Sequence, residues 1–209
     1  MRVCITGTDT DVGKTLVSSW LCLHTGASYF KPVQSGCVDG TDSDTVRKLA
    51  QVPIVPEVYK LQAPLSPHAA AHAEGITIDD ALLTLPSTTS LVVEGAGGLW
   101  VPINATTVYL DVMARWQLPT LVVARTTLGT INHTCLTLEA LRHRGVPVLG
   151  VIMNGEANES NRHAIEQYGN TTMLAKFPRL ENVTTQALKN IPLPQTLQQA
   201  LGVFSHGAN

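Results

Sequence analysis

The chain has 209 residues, a formal net charge of −2, 14% charged residues and 44% hydrophobic residues. This composition predicts a globular protein with a sizeable core, and a single domain over 1–209 is the simplest organisation at this length. A net charge close to zero gives no support for a nucleic-acid partner or a membrane-surface partner. Neither a secretory leader nor an apolar run of about 18 residues is recognisable, so we expect a cytoplasmic protein.

Short apolar runs alternate with helical patterns along the chain. The first predicted strand, 2–6, is followed by a helix over 14–24. A second strand over 27–31 stops at Pro32, and capping residues near 42–44 begin another helix. The segment 53–90 is harder to assign, with a proline-rich loop and short helices near 68–73 and 79–83. The remaining predicted elements are a strand at 91–94, a helix at 107–116, a strand at 120–124, a helix at 130–144, a strand at 148–153, a helix at 159–168, a strand near 172–176 and a helix near 195–201.

The strands at 120–124 and 148–153 are apolar along their whole length. Continuous apolar strands are typical of a parallel sheet that is covered by helices on both faces. Together with the strand–helix alternation, they predict an α/β fold with a doubly wound, mostly parallel sheet. In such a sheet, ligands bind at the carboxyl ends of the strands.

The segment 7–15 reads G-T-D-T-D-V-G-K-T and lies between a predicted strand and a predicted helix. Backbone N–H groups around Gly13 and the helix N-terminus favour phosphate groups as ligands. Lys14 supplies a positive charge to the outer phosphates, and the Thr15 hydroxyl can coordinate magnesium. Thr8 stands where the common motif has a glycine, so the loop is one residue longer. The segment therefore predicts a P-loop NTPase-like fold.

Two further strands end in residues that suit a bound nucleotide. Lys31 follows the second strand and could neutralise a transferred phosphoryl group, although a solvated surface lysine is the alternative. Glu94 ends the strand 91–94 before a glycine-rich loop. Glu94 and Thr15 are suited to Mg²⁺, and Asp44 is the candidate for a third ligand. Alternatively, Asp44 is simply an acidic residue that stabilises the N-terminus of its helix.

Five segments appear in a fixed order along the chain: G-T-D-T-D-V-G-K-T at 7–15, K-P-V-Q-S-G at 31–36, S-P-H at 66–68, V-E-G-A-G-G at 93–98 and L-G-T-I-N-H at 128–133. In these segments the chain resembles the dethiobiotin synthetase family, the ATP-dependent ligases of biotin synthesis. The resemblance extends from Ile5 to about Leu180 and includes the longer P-loop. It implies a cyclo-ligase that forms carbon–nitrogen bonds with ATP as co-substrate and Mg²⁺ as cofactor.

The reaction that this resemblance implies has three stages. Carbon dioxide, or bicarbonate as its source, and one amine of 7,8-diaminopelargonate form a carbamate. ATP phosphorylates the carbamate to a carbamic–phosphoric anhydride, and the neighbouring amine then closes the ureido ring of dethiobiotin with loss of phosphate. Such chemistry depends on positioning and charge neutralisation more than on a strong base.

The resemblance also implies site residues, position by position. The catalytic residues would be Lys31, Lys14 and Thr10, and the magnesium ligands would be Thr15, Asp44 and Glu94. The nucleotide would contact Asp11, Val12, Gly13, Lys14, Thr15, Leu16, Asp44, Glu94, Gly95, Ala96, Gly97, Asn154 and Pro178. The substrate would contact Ser35, Lys31, Leu128, Gly129 and Asn132.

A homodimer is implied as well, because in this family two subunits share each active site. The segment 128–132 would come from the partner subunit and receive the distal carboxylate of the substrate, since a helix start suits an anion. Gly155 follows Asn154 where a familiar relative has Asp, which leaves the recognition of the nucleotide base open.

Two other classes of protein use a similar loop. ParA/MinD-like ATPase switches usually carry an additional lysine at the start of the loop, where this chain has Thr8, and they usually show a membrane helix or a basic DNA-binding surface. The ATP-using domains of cobyrinate amidotransferases are joined to a glutaminase domain, for which 209 residues leave no room. A ligase would release phosphate only in the presence of its small substrates.

Overall fold

The computed structural model describes residues 1–38 and 40–203. In chain order the strands are β1 (Arg2–Gly7), β2 (Ser28–Phe30), β3 (Val33–Ser35), β4 (Ile54–Val55), β5 (Tyr59–Leu61), β6 (Leu91–Glu94), β7 (Thr120–Arg125), β8 (Val148–Asn154) and β9 (Met173–Phe177). The helices are α1 (Lys14–Thr25), α2 (Asp42–Ala50), α3 (Pro67–Ala73), α4 (Tyr109–Trp116), α5 (Thr130–His143), α6 (Glu159–Tyr168), α7 (Thr185–Lys189) and α8 (Gln195–Leu201), with a short 3₁₀ helix at Asp80–Leu82.

Among the described residues, seven strands form one parallel sheet in the order β4-β2-β6-β1-β7-β8-β9. The central strand β1 lies between β6 and β7, and Ile5 of β1 is in register with Glu94 at the end of β6. The strands β3 and β5 pair separately as a small parallel sheet. The predicted doubly wound α/β fold is therefore confirmed.

Helices cover both faces of the sheet, and alternate residues of each strand are buried against opposite faces. One face packs against α1, α2, α7 and α8 and buries Val3 and Ile5 of β1. The other face packs against α3, α4, α5 and α6 and buries Cys4 between them. On the first face, Trp20 of α1 donates its indole N–H to the carbonyl oxygen of Ile191 at 2.7 Å. No helix in the described part of the chain is long and apolar enough to span a membrane.

The largest differences from the predicted elements lie after the second strand. β2 ends at Phe30, and the chain continues as β3, which leaves the main sheet to pair with β5. Pro32 lies between β2 and β3, where its missing N–H interrupts the ladder of strand hydrogen bonds. The segment 53–90 contains β4 and β5, with two and three residues, which are too short for a detectable alternation. The helix α7 was not predicted either.

Candidate active site

The loop between β1 and α1 has a shape that two glycines make possible. Gly13 has φ +94°, and a Cβ there would lie 2.0 Å from Nδ2 of Asn154. A Cβ on Gly7 would lie 2.6 Å from Cγ2 of Val12. α1 begins directly after Gly13, and among the described residues no side chain caps it. Its first N–H groups are therefore available to an anion such as phosphate.

Lys14, the first residue of α1, is buried under this loop. Its Nζ donates to the carbonyl oxygen of Asp9 at 2.8 Å. Burial lowers the pKa of Lys14, and the nearby carboxylate of Glu94 partly opposes that effect. The side chain of Asp9 is fixed in turn, because its carboxylate accepts from the backbone N–H of Thr10 at 2.7 Å and from Arg125 at 2.9 Å. These contacts tie the loop to Lys14 on one side and to Arg125 on the other.

Lys31 lies one residue beyond β2, and its ammonium group contacts two carboxylates. It forms an ion pair with Asp42 and another with Oε1 of Glu94, at 3.3 Å. Burial alone would lower the pKa of Lys31, but the two carboxylates outweigh burial and raise it. Lys31 is therefore a buried and charged lysine, in contrast to the alternative of a solvated surface group.

Glu94, at the end of β6, connects this ion pair to the P-loop. Its side chain is fully buried, and its Oε1 accepts a hydrogen bond from the Thr15 hydroxyl at 2.8 Å. Its Oε2 accepts a hydrogen bond from the hydroxyl of Tyr29 at 2.9 Å. Burial raises the pKa of Tyr29 well above its ordinary value, and the negative charge of Glu94 raises it further, so the hydroxyl keeps its proton. Sequence reasoning missed Tyr29.

The structure corrects the expectation for Asp44. Its carboxylate accepts from the Thr41 hydroxyl at 2.7 Å and from Arg47 at 2.5 Å, and its side chain is 55% exposed. Thr41 and Asp44 form the capping box at the start of α2. The hydrogen bonds from Thr41 and Arg47 lower the pKa of Asp44. Asp44 therefore stabilises the helix start and points away from the cluster around Lys31.

The carboxylate that α2 brings into the cluster is that of Asp42, the first residue of the helix. Its backbone N–H donates to Oε1 of Gln34 at 3.1 Å, which holds the helix start against β3. Burial would raise the pKa of Asp42, but the charge and hydrogen bond of Lys31 outweigh it, with a contribution from Thr15, and lower it. The T-x-x-D spacing of Thr41 and Asp44 was the available signal, because it assigns Asp44 to the cap.

A cavity of about 840 Å³ opens beside this cluster. Its lining includes Thr10, Asp11, Lys31, Gln34, Ser35, Asp42, Ala96 and Gly97. The Oγ of Ser35 is buried and has no hydrogen-bond partner among the described residues. Residues that were predicted for the phosphates and for the substrate thus line one cavity.

A second cavity, of about 640 Å³, lies on the other side of the P-loop. Its lining includes Asp11, Arg125, Asn154, Gly155 and Arg179. Asn154, which ends β8, donates from Nδ2 to the carbonyl oxygen of Val12 at 2.9 Å, so it contacts the P-loop and the cavity at once. The exposed Pro178 precedes Arg179 and follows β9.

Three other predicted nucleotide contacts lie in supporting positions. The side chain of Val12 is buried in the core beneath the loop, and Leu16 packs half-buried against the same core. The backbone N–H of Gly95 donates to the carbonyl oxygen of Ile5 at 2.9 Å. A Cβ on Gly95 would lie 2.9 Å from the ring of Tyr109, so glycine is required there for packing.

The predicted substrate residues at 128–132 lie away from Lys31, on the outer surface of the molecule. α5 begins at Thr130, and Gly129 before it has φ +93°. Leu128 is fully exposed and Asn132 is exposed. The hydroxyl of Thr130 donates to the carbonyl oxygen of Arg125 at 2.6 Å and ties this helix start to the end of β7.

The oxygen atoms around Lys31 suit Mg²⁺ better than a metal that needs three His, Cys, Asp or Glu ligands. Within residues 1–38 and 40–203, no three His, Cys, Asp or Glu side chains form a metal site. The cluster instead offers the carboxylates of Asp42 and Glu94 and the hydroxyl of Thr15. Mg²⁺ prefers oxygen ligands and usually combines one or two carboxylates with substrate phosphates and water. The residues present therefore fit a magnesium site that is completed by a nucleotide.

Comparison with known proteins gives the family. A family model described as an AAA domain matches residues 1–187. The ATP-dependent dethiobiotin synthetase BioD of Lawsonia intracellularis is 52% identical over 199 residues, which cover 95% of this chain and 98% of that protein. The chain belongs to the dethiobiotin synthetase family. The synthetase of Paramagnetospirillum magneticum is also 52% identical, over 92% of this chain and 95% of its own length.

Solved structures of distant proteins share the fold of this dethiobiotin synthetase family member. The cell division ATPase MinD of Pyrococcus furiosus is 12% identical with a TM-score of 0.60, and the match covers 96% of this chain and 98% of that one. An McdA–ATP complex from Cyanothece is 14% identical with a TM-score of 0.59, and the match covers 100% and 99% of the two chains. At this level of identity the likeness extends to the fold alone, and it agrees with a P-loop NTPase-like sheet.

Proposed function

We propose that this chain is a single-domain, ATP-dependent dethiobiotin synthetase. The proposal is supported by 52% identity to a synthetase of nearly the same length. The observation that carries it is the position of Lys31, which is buried between Asp42 and Glu94 at the edge of the P-loop cavity. A charged lysine at this place is suited to an anion formed next to the terminal phosphate of ATP.

The chain binds ATP through the N-terminus of α1 and through Lys14. Backbone N–H groups after Gly13 hold the phosphates, and the ammonium group of Lys14 neutralises part of their charge. Thr15, Asp42 and Glu94 would hold Mg²⁺, which when bound supplies positive charge to the outer phosphates. The base would lie in the cavity lined by Asn154, whose second amide N–H and carbonyl oxygen are the groups suited to read it.

Lys31 acts on the substrate side of the phosphates. One amine of the diamine attacks carbon dioxide, loses a proton and becomes a carbamate anion. The ammonium group of Lys31 holds this anion by charge, and Ser35 offers a buried hydroxyl beside it. Holding the carbamate in line with the phosphoryl group replaces a bimolecular encounter by a positioned one.

The next two steps, phosphoryl transfer and ring closure, need no strong base. A carbamate oxygen attacks the terminal phosphorus of ATP, and the bond to the bridging oxygen breaks to release ADP. Lys31 and Lys14 neutralise the charge that develops on the transferred group. The second amine then attacks the carbamoyl carbon, phosphate leaves, and the amine loses its proton as the ureido ring closes.

The two subunits of a homodimer would share each site. The exposed start of α5 at 128–132 offers backbone N–H groups, together with the side-chain amide of the exposed Asn132, to the distal carboxylate of a substrate bound in the partner. Further along α5, Leu136 is exposed, and together with the exposed Trp100 it lines an apolar groove of about 590 Å³ beside the P-loop. A groove of this kind is suited to an interface between copies of the chain.

Phosphate release tests the proposed reaction directly. Purified protein with Mg²⁺ and ATP should release phosphate only when 7,8-diaminopelargonate and bicarbonate are both present, and dethiobiotin should appear in equal amount by mass spectrometry. ATP hydrolysis that is indifferent to the diamine would refute the proposed function and favour a nucleotide switch.

Subunit mixing tests the shared site. Lys31→Ala and Asn132→Ala proteins, each weakly active, should regain activity when mixed dimers form, because one of the two sites then combines a native Lys31 with a native Asn132. Demonstrated mixed dimers without any recovery would contradict the shared site and leave the proposed reaction untouched.

A further inference from the structure

Glu94 receives hydrogen bonds on both of its carboxylate oxygens, and one donor has no role in the reaction described above. Thr15 and Lys31 donate to Oε1, while Tyr29 donates to Oε2 at 2.9 Å. Tyr29 is fully buried, so its hydroxyl meets neither solvent nor a substrate in the cavity. A function for this hydroxyl must therefore act through Glu94.

The sheet fixes where the Tyr29 hydroxyl lies. Tyr29 is in register with Val92 of β6, two residues before Glu94, so the side chains of all three face the same side of the sheet. Its fully buried ring belongs to the core cluster on the α1 side of the sheet, which also contains Val17, Trp20 and Leu21 of α1. A ring enclosed in this way cannot rotate out of position, and the hydroxyl is a fixed donor to Oε2.

The backbone and stem of a glutamate do not by themselves fix the orientation of its carboxylate. The last torsion angle of Glu is broad and roughly two-fold, so packing around the stem does not determine where the two oxygens point. A fixed donor on Oε2 determines that orientation, because it leaves Oε1 directed at Thr15 and Lys31.

We propose that Tyr29 is a positioning residue that orients the Glu94 carboxylate toward the magnesium and phosphate site. The inference rests on the magnesium site proposed above and deepens it. Hydrogen-bond partners of metal-binding carboxylates commonly change metal affinity or activity by about 10- to 100-fold when they are removed. Tyr29→Phe removes the donor and keeps the ring that fills the core.

The test measures the requirement for Mg²⁺ in binding as well as in turnover. A non-hydrolysable ATP analogue is titrated into the protein by calorimetry over a series of free Mg²⁺ concentrations. Tyr29→Phe should raise the Mg²⁺ concentration for half-maximal binding by about tenfold or more. At saturating Mg²⁺, the turnover number should return to within about threefold of the wild type, because the chemical groups are unchanged.

Tyr109→Phe is the matched control. Tyr109 is also buried, and its hydroxyl lies 3.4 Å from the backbone carbonyl oxygen of the same Glu94. This variant likewise loses one buried tyrosine hydroxyl, but it leaves the carboxylate of Glu94 untouched. Its Mg²⁺ requirement should stay that of the wild type even if its melting temperature falls. Tyr29→Leu, a second variant without the hydroxyl, should repeat the change seen with Tyr29→Phe.

The possible outcomes distinguish a failure of the proposed magnesium site from a failure of the proposed role of Tyr29. A wild-type protein that binds the analogue equally well without Mg²⁺ would overturn the magnesium site and the inference together. A wild type that requires Mg²⁺, with Tyr29→Phe showing the same requirement, would overturn the inference alone. The inference would also be wrong if Tyr29→Phe and Tyr109→Phe shifted the requirement equally, since that result indicates a general loss of packing.

Discussion

The substitutions Asp42→Asn and Asp44→Asn make the sharpest test of the site, because both residues lie in the first turn of α2 and only Asp42 faces Lys31. The cluster of Lys14, Lys31, Asp42 and Glu94 balances two positive and two negative charges. Asp42→Asn leaves one positive charge in excess and removes one proposed magnesium ligand. We expect kcat/KM to fall by about two to three orders of magnitude, the size seen when one transition-state stabiliser is lost.

The same excess of positive charge has an opposite effect on ATP binding without metal. When a chelator removes the metal, ATP keeps its full negative charge. The Asp42→Asn protein should then bind ATP at least as tightly as the wild type. The Mg²⁺-dependent part of the affinity should be lost. Calorimetric titration of ATP with Mg²⁺ and with a chelator, combined with phosphate release over a range of substrate concentrations, measures both effects.

Asp44→Asn is the matched control for charge and for position. It weakens the capping box and an exposed ion pair with Arg47, which we expect to cost about 1 kcal/mol of unfolding free energy or less. Its kcat/KM should stay within about threefold of the wild type. An inactive Asp44→Asn protein beside an active Asp42→Asn protein would refute the assignment of Asp42 to the site.

Three further substitutions test other parts of the molecule. Lys31→Ala should reduce turnover by about two to three orders of magnitude, and near-normal phosphate release from a folded variant would contradict its role. Gly13→Ala places a Cβ 2.0 Å from Asn154, so calorimetry should show ATP affinity reduced at least about tenfold, and unchanged affinity would contradict the loop geometry. Hydrogen bonds from Arg115 and Asn104 hold the pKa of Asp80 below its ordinary value of 3.8. The stabilisation from Asp80 is therefore present above pH 3.8 and is lost as the pH falls through the lowered pKa. Asp80→Asn should reduce the unfolding free energy measured in urea by about 1 kcal/mol or less at pH 7, and a difference that does not shrink as the pH is lowered below 3.8 would contradict this assignment.

Features that depend on residues close together in the chain could be predicted from the sequence. The first strand, the P-loop and α1 follow one another without interruption, and their apolar spacing and glycines specify them locally. Glu94 was found in the same way, because a carboxylate at the end of an apolar strand of a parallel sheet lies at the ligand-binding edge.

Asp42 could not be found by that reasoning, because its orientation depends on which residue caps α2. A helix that began two residues later would have Asp44 instead of Asp42 at its first position, and each residue of shift turns the side chains by about 100° relative to Lys31. Thr41 fixes the start of α2 at Asp42, because its hydroxyl accepts a hydrogen bond from the backbone N–H of Asp44. The capping pattern was visible in the sequence, but the contact of Asp42 with Lys31 was not.

Tyr29 shows the limit of local reasoning more clearly. A tyrosine in a short apolar strand is expected to be a core residue, and the ring of Tyr29 is buried in the core. Its hydroxyl finds Glu94 because β2 lies beside β6, although 65 positions separate the two residues. The strand order of a parallel sheet follows from long-range packing, so the contact becomes visible only in the folded molecule.

The two carboxylates on Lys31 imply a coupling between Mg²⁺ and the substrate. Lys31 is fully paired before any ligand arrives, so an incoming carbamate must compete with Asp42 and Glu94 for the same ammonium group. A cation that engages those carboxylates weakens their hold on Lys31 and favours the carbamate. By linkage, the carbamate must raise the affinity for Mg²⁺ by the same factor. Titrating 7,8-diaminopelargonate with bicarbonate, with and without Mg²⁺ and in the presence of ADP, measures this factor, and identical affinities would mean that the pairing of Lys31 does not control substrate binding.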